Sequence, residues 1–299
     1  MEHVLPNTRA IIAEELGKPT PAGIREMAAV IIRQHVAGVA AILAYGSCIR
    51  DAKLDESLID LYVLTHKLED VSRGFLTRIA CRFLPPNVYY TECPYAGYTL
   101  RSKYAVMTLD EFAGRMSRFH NPYFWARFAQ PSRLIYAVDS ASRGIVLKAV
   151  AQAVETMLVE SRKMAKPEDD TLAALIRGLK ASYGTELRAE KSAARAEMIV
   201  NANRHYYTRL EALIPSANYR STKSSTKQDW RRRKIIGKAL SAARLVKAGF
   251  TFEGGADYLA WKIGRHSGEP LVMSDWHRRH PVLTGLMLLP KLLRKGAVR

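Results

Sequence analysis

Two short polar features in the N-terminal half of the chain have the residue types of a nucleotide site. Gly46 and Ser47 follow an apolar run at 39–45, and Asp60 stands inside a second apolar run at 58–65. A glycine lets the backbone approach a triphosphate closely, and nearby N–H and hydroxyl groups can donate to phosphate oxygens. A carboxylate on the adjacent strand can hold Mg²⁺, which usually takes one or two carboxylates together with substrate phosphates. We therefore favour a nucleotide site over the simpler alternative, a turn between two strands with an aspartate at a strand edge.

The spacing of these residues resembles the signature of the nucleotidyltransferase superfamily. In that signature a Gly-Ser turn precedes an acidic residue on the neighbouring strand, and a second acidic residue usually follows two positions later. Here 12 residues separate Ser47 from Asp60, but Tyr62 occupies the position of the second acid. The sequence thus predicts a site with a single strand carboxylate.

Apolar periodicity predicts the elements that position these residues. Residues 22–38 have helical spacing, and a capping pattern at Thr108 and Glu111 predicts a helix from residue 109. Buried or β-rich runs predict strands at 39–45, 58–65, 87–92, 98–108 and 133–139. Helical patterns follow at 141–164, from the segment 167–170 to about 183, at 186–212 and at 229–250.

These elements predict an α+β protein with three regions. An N-terminal nucleotidyltransferase-like α/β domain with a mixed sheet is expected at residues 1–140. A helical domain that completes the active site is expected at 141–215. A basic, amphipathic, membrane-associating region is expected at 216–299.

The order of several motifs resembles one branch of this superfamily, the mitochondrial-type phosphatidate cytidylyltransferases. That branch has a Tyr-Gly-Ser-Gly turn and a single strand aspartate, which match Tyr45-Gly46-Ser47 and Ile59-Asp60-Leu61. Further matching segments are RSKYAVM at 101–107, the stretch at 109–131 that contains Arg127 and Pro131, and IRGLKASYGTELRAEK at 176–191. Two departures are Cys48, where the family has glycine, and Glu186, where aspartate is usual.

The resemblance implies transfer of CMP from CTP to phosphatidate, giving CDP-diacylglycerol and pyrophosphate, with Mg²⁺ as cofactor. It implies that Tyr45, Gly46, Ser47 and Tyr183 bind the nucleotide. It also implies that Asp60 and Glu186 hold the metal, and that Asp60, Lys103 and Arg188 are catalytic. A protein of this branch is expected on the cytoplasmic face of an inner membrane, or the matrix side in a mitochondrion, as a peripheral membrane protein.

The charge of the chain indicates an anionic partner. The formal net charge is +18, and residues 219–299 carry 18 Lys and Arg against 5 Asp and Glu. Nucleic acid and an anionic membrane surface both fit this charge. The basic residues are not interleaved with a row of stacking aromatics, so nucleic acid is not the partner we expect. The residues expected to bind the membrane are Trp230, Arg231, Arg232, Arg233, Lys234, Leu288, Leu289, Lys291, Arg294 and Lys295.

On the helix expected at 229–250, the alternative to membrane binding is an apolar face packed on the core with a solvated basic face. Two other functions also stay open for the whole chain. One is a nucleotidyltransferase that acts on nucleic acid, and the other is a non-catalytic membrane-binding adaptor that retains this fold. The sequence does not predict an oligomeric state.

Several classes of protein are excluded by the sequence. No stretch has the roughly 18 uncharged apolar residues of a membrane-spanning helix. The three cysteines share no CxxC spacing, so neither a disulfide framework nor a structural zinc site is expected. No GxxxxGK[ST] segment is present, which argues against a P-loop nucleotidase.

Overall fold

A five-stranded mixed sheet with helices packed against it is the framework of the protein. The computed structural model describes residues 6–35, 38–49, 54–55, 57–72, 74–117, 121–187, 192–211, 227–251, 254–255, 257–258, 260–261 and 273–279. The strands are β1 (Val39–Tyr45), β2 (Leu58–Thr65), β3 (Asn87–Tyr95), β4 (Tyr98–Thr108) and β5 (Ser132–Ala137). Their order in the sheet is β3-β4-β2-β1-β5, with β2 and β4 parallel and the other neighbours antiparallel.

Eleven α-helices lie in the described part of the chain. The N-terminal five are α1 (Pro6–Gly17), α2 (Ala22–His35), α3 (Phe75–Phe83), α4 (Leu109–Arg115) and α5 (Trp125–Phe128). After β5 follow α6 (Ser140–Arg162), α7 (Thr171–Tyr183), α8 (Ser192–Ala202), α9 (Arg204–Glu211), α10 (Lys227–Thr251) and α11 (Asp275–Arg279). Short 3-10 turns occupy Ser47–Ile49 and Leu68–Val71.

The apolar runs form strands because both faces of the central sheet are covered. β1 is buried along almost its whole length, which explains its unbroken apolar sequence. The long helix α6 contacts α1, α4, α5 and α7, and it also contacts the sheet. Its N-terminus is capped by Asp139, which accepts a hydrogen bond from the backbone N–H of Ser142 at 2.7 Å.

The α+β class and the mixed sheet predicted from sequence are confirmed. Strands β1, β2 and β4 have the predicted bounds, and Thr108 caps α4 by accepting from the N–H of Glu111. The helix expected at 186–212 is instead two helices, α8 and α9. The change from strands to helices falls near residue 140, but the division into three regions stays a prediction. None of the described helices is long and apolar enough to cross a membrane.

Helix α10 packs against the rest of the protein through a mixed face. Trp230 packs on the core, and the buried Gly237 lies so close to Thr185 that an added Cβ would be 2.6 Å from its carbonyl oxygen. The apolar residues Ile235 and Val246, which the sequence places on one face, are exposed to solvent. The packed face thus combines basic residues with half-buried Trp230, Ile236 and Leu240, and it differs from the wholly apolar packed face considered as the alternative from the sequence.

Candidate active site

The Gly-Ser turn and Asp60 are brought together by the register of three adjacent strands. Asp60 on β2 lies opposite Tyr45 on β1 and opposite Lys103 on β4. Gly46 has a φ of +86°, a left-handed conformation that favours glycine. A Cβ built on Gly46 would lie 3.6 Å from Oδ2 of Asp60, so the carboxylate sits directly beside the turn. Ser47 then begins a 3-10 turn.

Lys103 is the nearest cation to Asp60 that the structure records. Its Nζ lies 3.7 Å from Oδ1 of Asp60, and the two side chains keep 36% and 27% of their surfaces exposed. Burial raises the pKa of Asp60, and the positive charges of Lys103, Arg127 and Arg195 offset only part of this effect. The site is thus a solvent-reachable carboxylate with cations around it, an arrangement that suits a polyanionic ligand accompanied by a metal ion.

Arg127 links the Gly-Ser turn to the segment after α7. Its guanidinium lies 6.0 Å from the ring centre of Tyr45 and 4.2 Å from that of Tyr123. It also forms an ion pair with Glu186, with 3.6 Å between Nη2 and Oε2, and both side chains are largely buried. Arg127 therefore orients Glu186 and covers the aromatic side of the turn.

Tyr62 packs into an aromatic cluster beside Asp60. It lies two residues after Asp60 on the same face of β2, where its ring packs 4.9 Å from Phe128 and 5.5 Å from Tyr45, measured between ring centres. Its side chain is almost fully buried. Its hydroxyl also interacts with the guanidinium of Arg127, so this position holds a buried aromatic side chain and β2 contributes a single acid, Asp60, to the site.

The remaining predicted site residues lie at different distances from this centre. Tyr183 is buried, and its hydroxyl accepts a hydrogen bond from Nε2 of Gln130 at 2.8 Å. This contact ties the end of α7 to the turn after α5. Arg188 lies outside the described residues, as do Leu288, Leu289, Lys291, Arg294 and Lys295.

The donor set fits a Mg²⁺ ion held by one protein carboxylate. Among the residues that the structure describes, no group of three or more His, Cys, Asp or Glu side chains lies together. Asp60 is only partly neutralised and faces the turn that would carry phosphates, whereas Glu186 is held by Arg127. Mg²⁺ keeps several waters and takes substrate phosphates as ligands, so a single carboxylate is sufficient.

The packed face of α10 carries basic side chains that bind other residues of the protein. Arg233 is buried and forms an ion pair with Glu160, and its guanidinium also lies 4.7 Å from the ring centre of Trp230. These two residues were expected at a membrane, but the structure turns both toward the core because Glu160 offers Arg233 a buried partner. Arg231, Arg232 and Lys234 are exposed on the same helix.

Arg244 of α10 reaches the wall of the candidate active site. Its guanidinium lies 4.0 Å from the ring centre of Tyr123, on which Arg127 also stacks. Burial raises the pKa of the Tyr123 hydroxyl, but the positive charges of Arg127 and Arg244 outweigh burial and lower it. We name this arrangement the Arg127–Tyr123–Arg244 stack. It connects the C-terminal helix to the residue that holds Glu186.

Sequence reasoning missed part of this environment. The sequence marks Arg127 only as a motif position and does not point to Arg195. The signal for Arg127 is its place after a run of aromatic residues, since buried guanidinium groups often stack on such rings. Arg195 stands in a helix whose only other charged residue is Glu197, and nothing in its spacing distinguishes it.

Comparison with known proteins gives no further guide to the site. No protein-family model matches the chain, and no curated protein matches it. The family resemblance therefore depends on the motifs and their order.

Proposed function

We propose that this protein transfers CMP from CTP to phosphatidate at an anionic membrane surface, releasing CDP-diacylglycerol and pyrophosphate. The observation that carries the proposal is the adjacency of Gly46, directly after β1, to Asp60 on β2 and Lys103 on β4. A positive-φ glycine turn beside a carboxylate and a lysine provides a place for a triphosphate, its counter-ion and a neutralising charge.

In the proposed reaction, a phosphate oxygen of phosphatidate forms a bond to the α-phosphorus of CTP. The bond from that phosphorus to the bridging oxygen breaks, and pyrophosphate leaves with the electron pair. The attacking phosphate is already an anion, so no general base is needed. The chain's contribution is positioning and charge stabilisation, which can supply most of the rate enhancement in phosphoryl-type transfers.

Individual residues have separate roles in this proposal. The turn at Gly46 and Ser47 receives the triphosphate, and Lys103 neutralises charge on it. Asp60 would hold Mg²⁺, which when bound polarises the phosphates as a Lewis acid. Glu186, held by Arg127, shapes the wall of the site near Tyr45. The family resemblance adds Tyr183 as a nucleotide contact and Arg188 as a catalytic residue.

The membrane part of the proposal is supported by charge and exposure. Arg231, Arg232 and Lys234 are exposed at the start of α10, and each cation near an anionic surface contributes about 1 kcal/mol. We propose a peripheral location on the cytoplasmic face of an inner membrane, or on the matrix side in a mitochondrion. This location would bring the site to its lipid substrate.

One observation supports a second candidate, a non-catalytic membrane-binding adaptor with this fold. Tyr62 replaces an acid that most superfamily enzymes require, and it is well packed rather than exposed. The adaptor and the enzyme differ in whether the protein binds CTP and releases pyrophosphate.

The deciding experiment is conversion of labelled CTP and phosphatidate in mixed micelles with Mg²⁺. We expect CDP-diacylglycerol and pyrophosphate from the wild type, and a loss of activity of roughly a hundredfold or more for Asp60→Asn. The matched control is Asp110→Asn, the same change at an exposed aspartate of α4, which should retain activity.

Other outcomes would redirect the assignment. CTP binding without lipid product would contradict phosphatidate as acceptor, and nucleic acid acceptors would be tested next. No binding of any nucleotide would support the adaptor, whereas metal-dependent CTP binding that Asp60→Asn abolishes would argue against it.

A further inference from the structure

Helix α3 presents an apolar face to solvent. Phe75, Leu76, Ile79 and Phe83 fall within one stripe of the helix, and Leu76 and Phe83 are 78% and 77% exposed. The opposite side of the helix is the packed one, where Cys81 is buried and its thiol lies 3.7 Å from the carbonyl oxygen of Val106. Isolated apolar residues on a surface are ordinary, but a full stripe on one helix marks an interaction surface.

The charged residues of α3 are all basic and lie on one side of the helix. Arg78 and Arg82 lie along one edge of the apolar stripe, and residues 75–83 include no Asp or Glu. An apolar stripe with cations at its edge is the pattern of a helix that lies in a membrane interface.

Helix α10 places a second surface of this kind beside α3. Nζ of Lys247 donates to the carbonyl oxygen of Leu84 at 2.6 Å, and Nε of Arg244 donates to that of Pro85 at 3.2 Å. These bonds fix the C-terminal end of α3 against α10. Phe83, the last residue of α3, therefore lies directly before the two residues that α10 binds.

The outer face of α10 has matching chemistry. Ile235, Ala239, Ala242 and Val246 recur at helical spacing and are exposed, as is the neighbouring Leu245, at 72%. The exposed cations around this row are Arg231, Arg232, Lys234 and Lys238. Asp229, in the first turn of the helix, is the only acid in residues 227–251.

We propose that α3 and the outer face of α10 form one membrane-binding surface, and that the apolar stripe of α3 enters the interface of an anionic bilayer. This inference deepens the proposed function and rests on it, because a lipid substrate is the reason for a membrane-binding surface. The proposed function by itself does not require any part of α3. The α3 stripe is a second attachment point, distinct from the basic start of α10.

Two features of the surface favour a bilayer over a protein partner. The exposed cations of the surface are balanced by little acid, since residues 75–83 contain none and residues 227–251 contain Asp229 alone. A second copy of this chain would bring the arginines and lysines of both copies together with little acid between them, which is unfavourable. An anionic bilayer satisfies the apolar stripe and the cations together.

The first experiment places a reporter on α3. The three native cysteines are buried, so Leu76→Cys provides one accessible thiol for an environment-sensitive fluorophore. Vesicles of phosphatidylcholine with anionic phosphatidylglycerol should increase and blue-shift the emission, whereas pure phosphatidylcholine vesicles should have little effect. The control is Ile145→Cys on α6, also an exposed aliphatic position, where no shift is expected.

The second experiment removes the apolar stripe without changing charge. Leu76→Ser combined with Phe83→Ser should lower partitioning onto the anionic vesicles by about tenfold, because two insertable side chains are lost. Ile145→Ser should bind vesicles as the wild type does. Far-UV circular dichroism of the double variant checks that the fold is retained, as is expected for two exposed positions.

The outcomes separate this inference from the proposed function. An unshifted label at position 76 on vesicles that bind the protein would overturn the inference, even if CMP transfer to phosphatidate is observed. A shifted label together with weakened binding of the double variant would establish it, even if no lipid product forms. A label that responds to protein concentration rather than to vesicles would overturn it in favour of self-association.

Discussion

Two carboxylates that each face several cations, Asp60 on β2 and Glu160 on α6, have opposite pKa shifts. Burial disfavours ionisation of both. At Glu160, hydrogen bonds from Lys163 and Arg233 outweigh burial and lower the pKa. At Asp60, burial raises the pKa and the surrounding cations offset only part of the increase.

The difference comes from distance and hydrogen bonding rather than from the number of positive charges. Nζ of Lys163 donates to Oε1 of Glu160 at 2.8 Å, and Arg233 binds the other oxygen, whereas Nζ of Lys103 stays 3.7 Å from Asp60. Glu160 is therefore satisfied within the protein and acts in stability. Asp60 retains capacity for an external cation, as perturbed carboxylates at functional sites often do.

The largest effect that would sharpen this comparison is expected for Glu160→Gln. The change removes the charge that compensates the buried Arg233, so the free energy of unfolding should fall by about 3 kcal/mol. Urea denaturation measures it. Glu168→Gln, which breaks an exposed ion pair with Lys166, should change the free energy of unfolding by less than about 1 kcal/mol and serves as the control.

The same carboxylate-to-amide change at Asp60 should leave the free energy of unfolding unchanged or raise it. Its raised pKa means that the ionised form is disfavoured in the fold, so the ionisation of Asp60 opposes folding at neutral pH. The lowered pKa of Glu160 has the reverse sign, because its contribution is complete above its unfolded pKa and is lost as the pH falls through the folded pKa. Equal destabilisation by Asp60→Asn and Glu160→Gln would contradict the distinction between the two sites.

A smaller effect on the free energy of unfolding is expected at Gly237, where α10 packs on Thr185. Alanine usually stabilises a helix by about 1 kcal/mol relative to glycine. At Gly237, however, the added Cβ would meet the Thr185 carbonyl oxygen at 2.6 Å, so Gly237→Ala should lower the free energy of unfolding by about 2 kcal/mol.

Gly144→Ala is the matched control for this change. Gly144 is exposed on α6, and an added Cβ meets nothing within 4 Å, so this variant should be more stable than the wild type. Thermal or urea denaturation of both variants measures the two changes in stability, which should have opposite signs. If Gly237→Ala were also stabilising, α10 would not be packed closely on Thr185.

The smallest effect, expressed per pH unit, concerns Lys247, a cation on the inner face of α10. Burial lowers its pKa to about 8, although it donates to the carbonyl oxygens of Leu84 and Pro86. Between pH 8 and 10.5 the unfolded chain binds more protons than the folded one, so this lysine makes stability rise with pH in that window, by at most about 1.4 kcal/mol per pH unit. Lys247→Met should flatten the slope in urea denaturation series at several pH values. Parallel slopes for the two proteins would show that Lys247 keeps its ordinary pKa.

The sheet and the centre of the candidate site could be predicted because the signal is local. Continuous apolar runs determine β1 and β2, and the polar residues at their ends then fall together by register. The pairing of Asp60 with Lys103 needed one further fact, that β4 lies parallel to β2, which follows only from the tertiary fold.

The orientation of α10 could not be predicted from its periodicity. The pattern identifies two faces, and an apolar face is normally buried because burial of apolar surface stabilises the fold. Here the buried face carries basic residues because Glu160 and the carbonyl oxygens around Pro85 provide partners for Arg233, Arg244 and Lys247. Those partners are 73 to 163 residues away in the chain, beyond the reach of any local pattern.

The Arg127–Tyr123–Arg244 stack sets a limit on how the protein can be divided. A fragment that ends before α10 would contain every strand that the structure describes and the Gly46 turn, yet Tyr123 would lose one of its two guanidinium partners and Glu160 would lose Arg233. The sheet with the candidate site and α10 are therefore a single unit for expression and for recombination with related sequences. Exchanging α10 between two such proteins would require exchanging Tyr123 and Glu160 with it.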